Sequence, residues 1–302
     1  RQHYLDGVAI ARSQSLDKWV RSGRLELARL SHQRGLNSEA EHEAEAVLEE
    51  SRYAQDTWTQ ADALALLARI LGARGSRRAP DLAEKAQELF AALGATNNVA
   101  IVLRERAHLA RTHGDAVAAA QLFTEARKEF ESIGDRHGQA RCLNGLGEVA
   151  RQLGRLEVAR SAYSRAAESF RTIGARNDLA TSLANLGLTE LADGDLDSAE
   201  EYLAEAATLS AKTAHPYITL GISTNLNLVR ARRGDWESVL ADSDQLLKDL
   251  DDFDFVDPDY GDPLEEMAKL AMDAGHGQLA VQLGERAFHI QSSLDDTIKR
   301  DS

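Results

Sequence analysis

The chain has 302 residues, which is enough for two ordinary domains or for one elongated array of repeats. Aromatic residues make up only 5% of it, proline occurs four times, and runs rich in valine, isoleucine and aromatic residues are missing, so the composition predicts an all-α protein. The formal net charge of −14 argues against a general nucleic-acid binder, because phosphate binding needs a basic face.

The single cysteine, Cys142, excludes an internal disulfide framework and is typical of a protein from a reducing compartment. It lies in a helical run, where a small buried hydrophobic residue is favoured over a reactive thiol. No apolar run approaches the ~18 residues of a membrane span, and no signal peptide opens the chain. We therefore predict a cytoplasmic protein whose partners are neither membranes nor nucleic acids.

Seven glycines divide most of the chain at intervals of 40, 39, 40, 40, 40 and 41 residues. A helical apolar pattern precedes each glycine and, in most cases, a second one follows it. Each glycine is therefore predicted to form the turn between two helices, where a left-handed backbone is easiest without a Cβ. We call the helix before this turn glycine helix A and the helix after it helix B. The turn glycines are Gly35, Gly75, Gly114, Gly154, Gly194, Gly234 and Gly275.

Small side chains recur at two positions around the turn glycine. Seven residues before it, six of the seven repeats have alanine or glycine, as at Ala107 and Gly187, and only Asn227 departs. Five residues after it alanine is usual, as at Ala119, whereas the second repeat has Pro80. Small residues at both positions let helices A and B approach closely, so each repeat is predicted to be a helical hairpin covered by its neighbours.

The first predicted element, residues 1–15, resembles the helix B at 202–213 and is interpreted as a partial repeat. Because the chain begins inside this repeat and without a methionine, we expect a longer protein with an output domain upstream. A further glycine ends helix B in several repeats, as at Gly94, Gly134 and Gly174. The complete repeats are predicted at 17–54, 57–94, 97–134, 137–174, 177–213, 216–250 and 260–294.

An acidic segment, 249–263, breaks the period before the last repeat, and its centre, 251–259, is predicted to be a linker. Pro258, Gly261 and Pro263 are expected to prevent a continuous helix there. Two interpretations stay open. The segment is either an exposed linker whose aromatic residues pack against the repeats or a docking segment for a basic partner.

Paired helices with a small residue in helix A, a turn glycine and an alanine in helix B resemble tetratricopeptide repeats, whose usual length is about 34 residues. The longer repeats here, such as LNGLGEVARQLGRLEVARSAYSRA, are more similar to those of kinesin light chains and of bacterial serine/threonine kinases and ATPase-type transcription activators. The resemblance implies one right-handed α-solenoid, or superhelix, over residues 1–302, with about seven hairpins after the partial repeat. It also implies the regulatory C-terminal part of a larger bacterial signalling protein.

Three aspartates, Asp193, Asp195 and Asp197, have the spacing of the first ligands of a calcium-binding loop. The pattern fails as such a loop, because Ser198 replaces its glycine and Ala204 replaces its final glutamate. Asp197 or Ser198 is instead expected to cap helix B of the fifth repeat. Catalytic patterns are equally scarce, since the HEAE stretch at 42–45 lacks the second histidine of a zinc pair. We therefore predict no metal, no cofactor and no enzymatic activity.

In tetratricopeptide arrays the A helices line the concave groove, and the resemblance implies that residues 13, 10, 6 and 3 before the turn glycine face it. The third and fourth repeats are basic at these positions, whereas the fifth and sixth are mainly apolar. A partner with an acidic segment followed by hydrophobic residues would match them. In the other interpretation the arginines only pair with Glu105 and Glu148 along a solvated face. The set is Ile101, Arg104, His108, Arg111, Arg141, Asn144, Glu148, Arg151, Thr181, Ala184, Leu188, Leu191, Gly221, Thr224, Leu228 and Ala231, with Asn185 and Asn225 beside it.

The predicted function is a protein–protein interaction scaffold or sensory module that binds a peptide or protein segment in its groove. Candidate partners are an acidic segment of another protein, the upstream output domain and a second copy of the chain. A small-molecule-sensing regulatory domain and a self-assembly module stay open as alternatives. The predicted peptide-binding residues are Arg104, His108, Arg111, Arg141, Asn144, Arg151, Asn185, Leu188 and Asn225.

Overall fold

The computed structural model describes residues 2–211, 216–252 and 258–300 of the chain. Within these residues it consists of helices and turns, without a strand. The helices are α1 (Gln2–Ser13), α2 (Asp17–Gln33), α3 (Asn37–Tyr53), α4 (Thr57–Gly72), α5 (Ala79–Ala92), α6 (Thr96–Thr112), α7 (Ala116–Ser132), α8 (Arg136–Gln152), α9 (Leu156–Ile173), α10 (Arg176–Asp193), α11 (Leu196–Ser210), α12 (Pro216–Arg233), α13 (Trp236–Asp252), α14 (Pro258–Asp273) and α15 (Gly277–Arg300).

The even-numbered helices from α2 onward are A helices, and the odd-numbered helices from α3 onward are B helices. In the third repeat, for example, α6 and α7 are joined by a turn at Gly114 and pack along each other. Neighbouring A helices also touch, as α2 does with α4, α4 with α6, and α12 with α14. The predicted fold class, an all-α array of stacked helical hairpins that follows a lone first helix, is confirmed.

The chain divides into two compact units, Arg1–Val149 (unit 1) and Ala150–Ser302 (unit 2). Unit 1 contains α1 to α7 and most of α8, and unit 2 contains the end of α8 and the helices that follow. A single solenoid over 1–302 stays a prediction.

The turn glycines have the left-handed backbone that the sequence predicts. Their φ angles lie between +68° and +89°, a region where a Cβ would crowd the following carbonyl oxygen. The glycines that end helix B behave alike, with φ of +73° at Gly134 and +74° at Gly174. At the equivalent position after α1 and α3 there is no glycine, and Ser15 and Gln55 adopt φ of +55° and +53°. These two turns are therefore strained where the later repeats are not.

Small side chains bring helices A and B together, as predicted. A Cβ added to Gly187 would lie 2.6 Å from Leu203 Cγ and 3.1 Å from the carbonyl oxygen of Ala199. In unit 1, Ala107 and Ala119 are both fully buried. Any larger residue at these points would push the two helices of the hairpin apart.

Helix B of the second repeat has a different register from the one predicted. Its buried small residue is Ala79, whereas Pro80 is only half-buried and occupies the first turn of α5. Proline is tolerated at that point because a backbone N–H in the first turn of a helix has no intrahelical partner. The buried alanine therefore lies four residues after the turn glycine, one residue closer than Ala119 in the third repeat.

The prediction for the acidic segment is corrected in part. α13 continues to Asp252 and α14 begins at Pro258, while 253–257 and the predicted aromatic contacts lie outside the described residues. Gly261 and Pro263 were expected to interrupt the helix, yet α14 runs through both. A proline removes one backbone hydrogen bond, and the apolar face that α14 packs against α12 and α15 maintains the helix around it.

Arginines of one repeat pair with carboxylates of the next at a nearly constant spacing of 33 to 36 residues. These pairs are partly exposed, so each contributes about 0.2–1 kcal/mol to stability. Their main effect is to fix how far one helix A is shifted along the next. Three such pairs are Arg29–Asp62, Arg69–Glu105 and Arg232–Glu266.

Candidate peptide-binding site

Three predicted site residues lie together on α6. Arg104, His108 and Arg111 are four and three residues apart, so they share one face of the helix. Their side chains retain 13%, 37% and 23% of their exposure. The structure therefore groups them on a face that solvent reaches.

Arg104 shares the carboxylate of Glu105 with Arg69 of α4. The Nη2 atoms of both arginines lie 3.3 Å from Glu105 Oε1. The Arg104 guanidinium also lies 6.0 Å from the centre of the Phe130 ring. Burial alone would raise the pKa of Glu105, but the charges of Arg69 and Arg104 and the hydrogen bond from Arg104 contribute to lowering it. Glu105 is thus a charged carboxylate that neutralises part of the face.

Glu148, on α8, contacts three predicted site residues, of which two lie on α6 and one on α8. Asn144 Nδ2 donates a hydrogen bond to Glu148 Oε1 at 3.0 Å. Arg111 Nε lies 3.2 Å from Glu148 Oε2 as an ion pair without the alignment of a hydrogen bond, and His108 Nδ1 lies 4.0 Å from the same oxygen. The Glu148 side chain is 19% exposed. We call these four side chains the Glu148 cluster.

His108 lies between the apolar core and this charged face. Its ring meets the ring of Phe123 edge-on, with 4.9 Å between centroids. Burial has the largest effect on the pKa of His108 and lowers it. The nearby carboxylates raise this pKa and the nearby arginines lower it, and the net direction is downward. The neutral imidazole is therefore favoured near neutral pH.

Positive charge is in excess on this face. Three guanidiniums, those of Arg69, Arg104 and Arg111, contact two carboxylates, those of Glu105 and Glu148. With a neutral imidazole, one positive charge is left over. The pairing of arginines with the two glutamates is observed, and the face is still cationic, while its use by a partner stays a prediction.

Arg141 and Cys142 follow each other on α8 but have opposite environments. Arg141 is exposed, whereas Cys142 is fully buried. Burial raises the pKa of the Cys142 thiol to about 12, so the thiol stays protonated. The interpretation of Cys142 as a buried hydrophobic residue is confirmed.

The predicted residues of unit 2 have different surroundings. Asn225 Nδ2 donates to the carbonyl oxygen of Gly221 at 2.8 Å, so its amide group bonds its own helix. Asn185 and Leu188 are half-buried on α10, and Arg151 is half-buried near the end of α8. Their use by a partner stays a prediction.

Four of the groove positions proposed for unit 2 belong to its core. Leu191, Thr224, Leu228 and Ala231 expose 7%, 0%, 3% and 4% of their surface. The expected apolar stretch of groove is therefore wrong at Leu191 and Leu228. Apolar side chains at these positions turn towards neighbouring helices, because burial there removes them from water.

Arg69 is the residue of the charged face that the sequence prediction omitted. It lies six residues before Gly75, at one of the four groove offsets of the second repeat. The same offsets applied to that repeat would have identified it. Its partner Glu105 lies nearly one repeat further along the chain, as in the other arginine–carboxylate pairs.

A cleft of about 480 Å³ opens elsewhere in unit 1. It contains none of the predicted site residues, and its walls carry both charged and apolar groups. The cleft is lined by Asp17, Val20, Arg21, Glu50, Tyr53 and Ala54.

The cap of α11 is Asp195 rather than Asp197 or Ser198. Its Oδ1 atom accepts a hydrogen bond from the Ser198 backbone N–H at 3.1 Å, and Oδ2 accepts one from the Ser198 hydroxyl at 2.7 Å. These bonds lower the pKa of Asp195. The expected cap is off by two or three residues because α11 begins directly after Asp195.

The other two aspartates of this turn form separate ion pairs. Asp193 Oδ2 lies 2.9 Å from Arg160 Nη2, and Asp197 Oδ1 lies 2.8 Å from Arg233 Nη1. The three carboxylates thus serve three structural contacts. Among the described residues, no group of three or more histidine, cysteine, aspartate or glutamate side chains is arranged to hold a metal ion.

In the part of the chain that the structure describes, no helix has both the length and the apolar character needed to span a bilayer.

The tetratricopeptide repeat family model matches residues 98–172 and 138–212, which correspond to the third, fourth and fifth repeats. No curated protein matches the chain.

Solved structures show the same fold at low sequence identity. A Rap protein complexed with Competence and Sporulation Factor has a TM-score of 0.70 at 15% identity, over 92% of this chain and 76% of that one. Aspartyl phosphate phosphatase F from Bacillus subtilis has a TM-score of 0.69 at 14% identity, over 94% and 73% of the two chains.

A STAND-class signal-transduction ATPase with a tetratricopeptide repeat sensor, from Pyrococcus horikoshii, has a TM-score of 0.67 at 16% identity. The match covers 93% of this chain and 44% of the ATPase, so the chain corresponds to less than half of that protein. At these identities the three structures are evidence for the fold alone.

Proposed function

We propose that this chain, whose residues 98–212 are tetratricopeptide repeats, is a protein–protein interaction module that binds an acidic peptide segment. The binding surface is the face of unit 1 formed by α6 and the Glu148 cluster. One observation carries the proposal. On this face Arg104, His108 and Arg111 remain partly exposed while the guanidiniums outnumber the carboxylates.

The chemistry of the face suits the carboxylates of a partner. A guanidinium can bind a carboxylate through two parallel hydrogen bonds, and bonds to charged groups contribute about 1.5–3 kcal/mol each. Arg141 lies three residues before Asn144, so it extends the same face of α8. The Asn144 amide can both donate to and accept from an extended peptide backbone.

The similar structures support a binding or sensing role. The Rap protein is named in complex with Competence and Sporulation Factor, and the archaeal ATPase carries its repeats as a sensor. By extension, we place this chain in a larger cytoplasmic signalling protein, where occupancy of the repeats regulates an output domain.

The proposed role is not catalytic. One similar structure is named a phosphatase, so the fold alone does not separate binding from catalysis. The chemistry of the described residues favours binding, because the Cys142 thiol is buried with a pKa of about 12, while Arg104 and Arg111 are suited to hold carboxylates.

Neutralising three arginines tests the proposed surface. A fluorescein-labelled peptide of ten glutamates is the probe, and a peptide of ten glutamines is its neutral counterpart. Fluorescence anisotropy should show binding of the glutamate peptide that weakens as salt rises, because the attraction is electrostatic. The triple variant Arg104→Gln, Arg111→Gln and Arg141→Gln should lose this binding.

A matched triple variant controls for net charge. Arg12, Arg34 and Arg77 are exposed arginines of unit 1 outside α6 and α8, and their change to glutamine should leave binding intact. Circular dichroism establishes that both triple variants fold. Equal affinity of the two variants for the glutamate peptide would contradict the proposed surface.

A further inference from the structure

Glu148 has the same chemistry as the ligand proposed for this site. Its carboxylate accepts a hydrogen bond from Asn144 at 3.0 Å, and one of its oxygens lies 3.2 Å from Arg111 Nε and 4.0 Å from His108 Nδ1. An incoming carboxylate would need the same donors. These donors come from α6 and α8, so the carboxylate joins helices of two successive repeats.

The contacts of Glu148 are weaker than those of Glu105. Glu105 accepts hydrogen bonds from two guanidiniums, those of Arg69 and Arg104. Glu148 accepts one bond from a neutral amide, and its ion pair with Arg111 lacks hydrogen-bond alignment. Two cations hold a carboxylate more strongly than one, so Glu148 is the easier carboxylate to displace.

Glu148 can also leave without unfolding the helix. Its side chain is 19% exposed, so solvent reaches it in the observed position. A glutamate has three side-chain torsions, and its charged group is fully hydrated once it turns outward.

We propose that Glu148 is an internal competitor of the partner. Its carboxylate occupies the donors of Arg111, Asn144 and His108 in the free protein, and an acidic segment of the partner displaces it. The inference rests on the proposed function and adds a regulatory element to the same site. Because the partner must replace a carboxylate that is already bound, the free protein binds more weakly than its cationic face would allow.

Removing the charge of Glu148 tests this competition. Glu148→Gln should bind the ten-glutamate peptide about tenfold more tightly than the wild type, within the range of coupling between competing groups. Glu148→Ala removes the side chain altogether and should show a similar gain. Glu125→Gln is the matched control, because Glu125 is exposed on α7 of the same unit and the charge change is identical. It should change affinity far less.

A double variant tests whether the gain in affinity depends on Arg111. When Arg111→Gln is combined with Glu148→Gln, the gain in affinity should disappear, because the cation released by Glu148 is no longer present. Two sites that do not interact would instead show additive changes.

The pKa of His108, measured by NMR titration, gives a readout independent of affinity. Burial lowers this pKa. The charges of Glu148 and Glu105 raise it, whereas those of Arg104 and Arg111 lower it. In Glu148→Gln the pKa of His108 should fall further. Addition of the glutamate peptide should raise it again in this variant, since a ligand carboxylate takes the place of Glu148. In the wild type the peptide should change it little.

The outcomes separate the competitor from the proposed function. Tighter binding by Glu148→Gln and Glu148→Ala, but not by Glu125→Gln, supports the competitor. Unchanged or weaker binding by both Glu148 variants, combined with lost binding in the triple arginine variant, overturns the competitor and leaves the proposed function standing. Equal binding by all variants, including the triple arginine variant, overturns both.

Discussion

Three residues before the turn glycine, helix A has Arg111 in the third repeat but Leu191 and Ala231 in the fifth and sixth. The Arg111 side chain keeps 23% of its exposure and reaches the Glu148 carboxylate. Leu191 and Ala231 expose only 7% and 4%. A long arginine can cover apolar surface while its charged end stays at the water boundary, whereas a leucine is most stable inside. The repeat offset therefore identifies the neighbourhood of a residue, and the side chain determines whether a partner can reach it.

Two carboxylates, one in each unit, are also held differently. In unit 2, Glu190 is 5% exposed, and Arg160 donates hydrogen bonds at 2.7 Å to both of its carboxylate oxygens. In unit 1, Glu105 is shared by Arg69 and Arg104. Glu190 thus relies on one cation where Glu105 has two.

The largest expected effect concerns the buried leucine of unit 2. Leu228→Ala should lower the free energy of unfolding by about 3 kcal/mol, because a 3% exposed leucine leaves a cavity. Leu188→Ala, at the same offset of the previous repeat but half-buried, should cost about 1 kcal/mol. Urea unfolding measures both. Equal costs would mean that the two positions do not differ in burial as described.

A smaller effect should distinguish the two carboxylate networks. Arg160→Ala leaves Glu190 buried without its cation and should cost about 2 kcal/mol, below the usual range for a buried pair because Arg160 is partly exposed. Arg69→Ala should cost about 0.5–1 kcal/mol, since Arg104 still pairs with Glu105. Arg171→Ala, which breaks an exposed pair, controls for the loss of an arginine in unit 2. A loss for Arg69→Ala as large as for Arg160→Ala would disprove the redundancy of unit 1.

The smallest effect is a gain in stability. Gln55→Gly should stabilise the protein by about 0.5–1 kcal/mol, because glycine removes the left-handed strain of 1–2 kcal/mol but adds chain entropy to the unfolded state. The reverse change in unit 2, Gly174→Gln, should destabilise it by a comparable amount, since φ there is +74°. Thermal unfolding of the pair measures both signs. A loss of stability in Gln55→Gly would show that the left-handed turn is not strained.

The sequence predicts the hairpins well because their determinants are local and repeated. A turn glycine such as Gly114 recurs in all seven repeats, and small residues equivalent to Ala107 and Ala119 recur in most of them, so even a weak local signal becomes clear. The helix face that groups Arg104, His108 and Arg111 follows from the same periodicity.

Other features depend on tertiary contacts that periodicity does not contain. The burial of Leu228 depends on which neighbouring helix lies above it, and the choice of Asp195 as the cap depends on where α11 begins. The continuity of α14 through Pro263 depends on packing that outweighs the cost of a proline inside a helix, about 3 kcal/mol. For the same reason, the competition between Glu148 and a partner could be proposed only once α6 and α8 were seen side by side.

The arginine–carboxylate pairs that align successive A helices have a consequence for how such an array can evolve. All repeats share a backbone, yet not every repeat supplies the matching charge. In a gene with the second and third repeats exchanged, Arg29 would face Ile101, at the offset where it now meets Asp62. An arginine that is partly buried would then lose its counter-charge. The hairpins are alike in shape but differ in these charges, so exchanging two repeats lowers stability wherever an arginine loses its carboxylate partner.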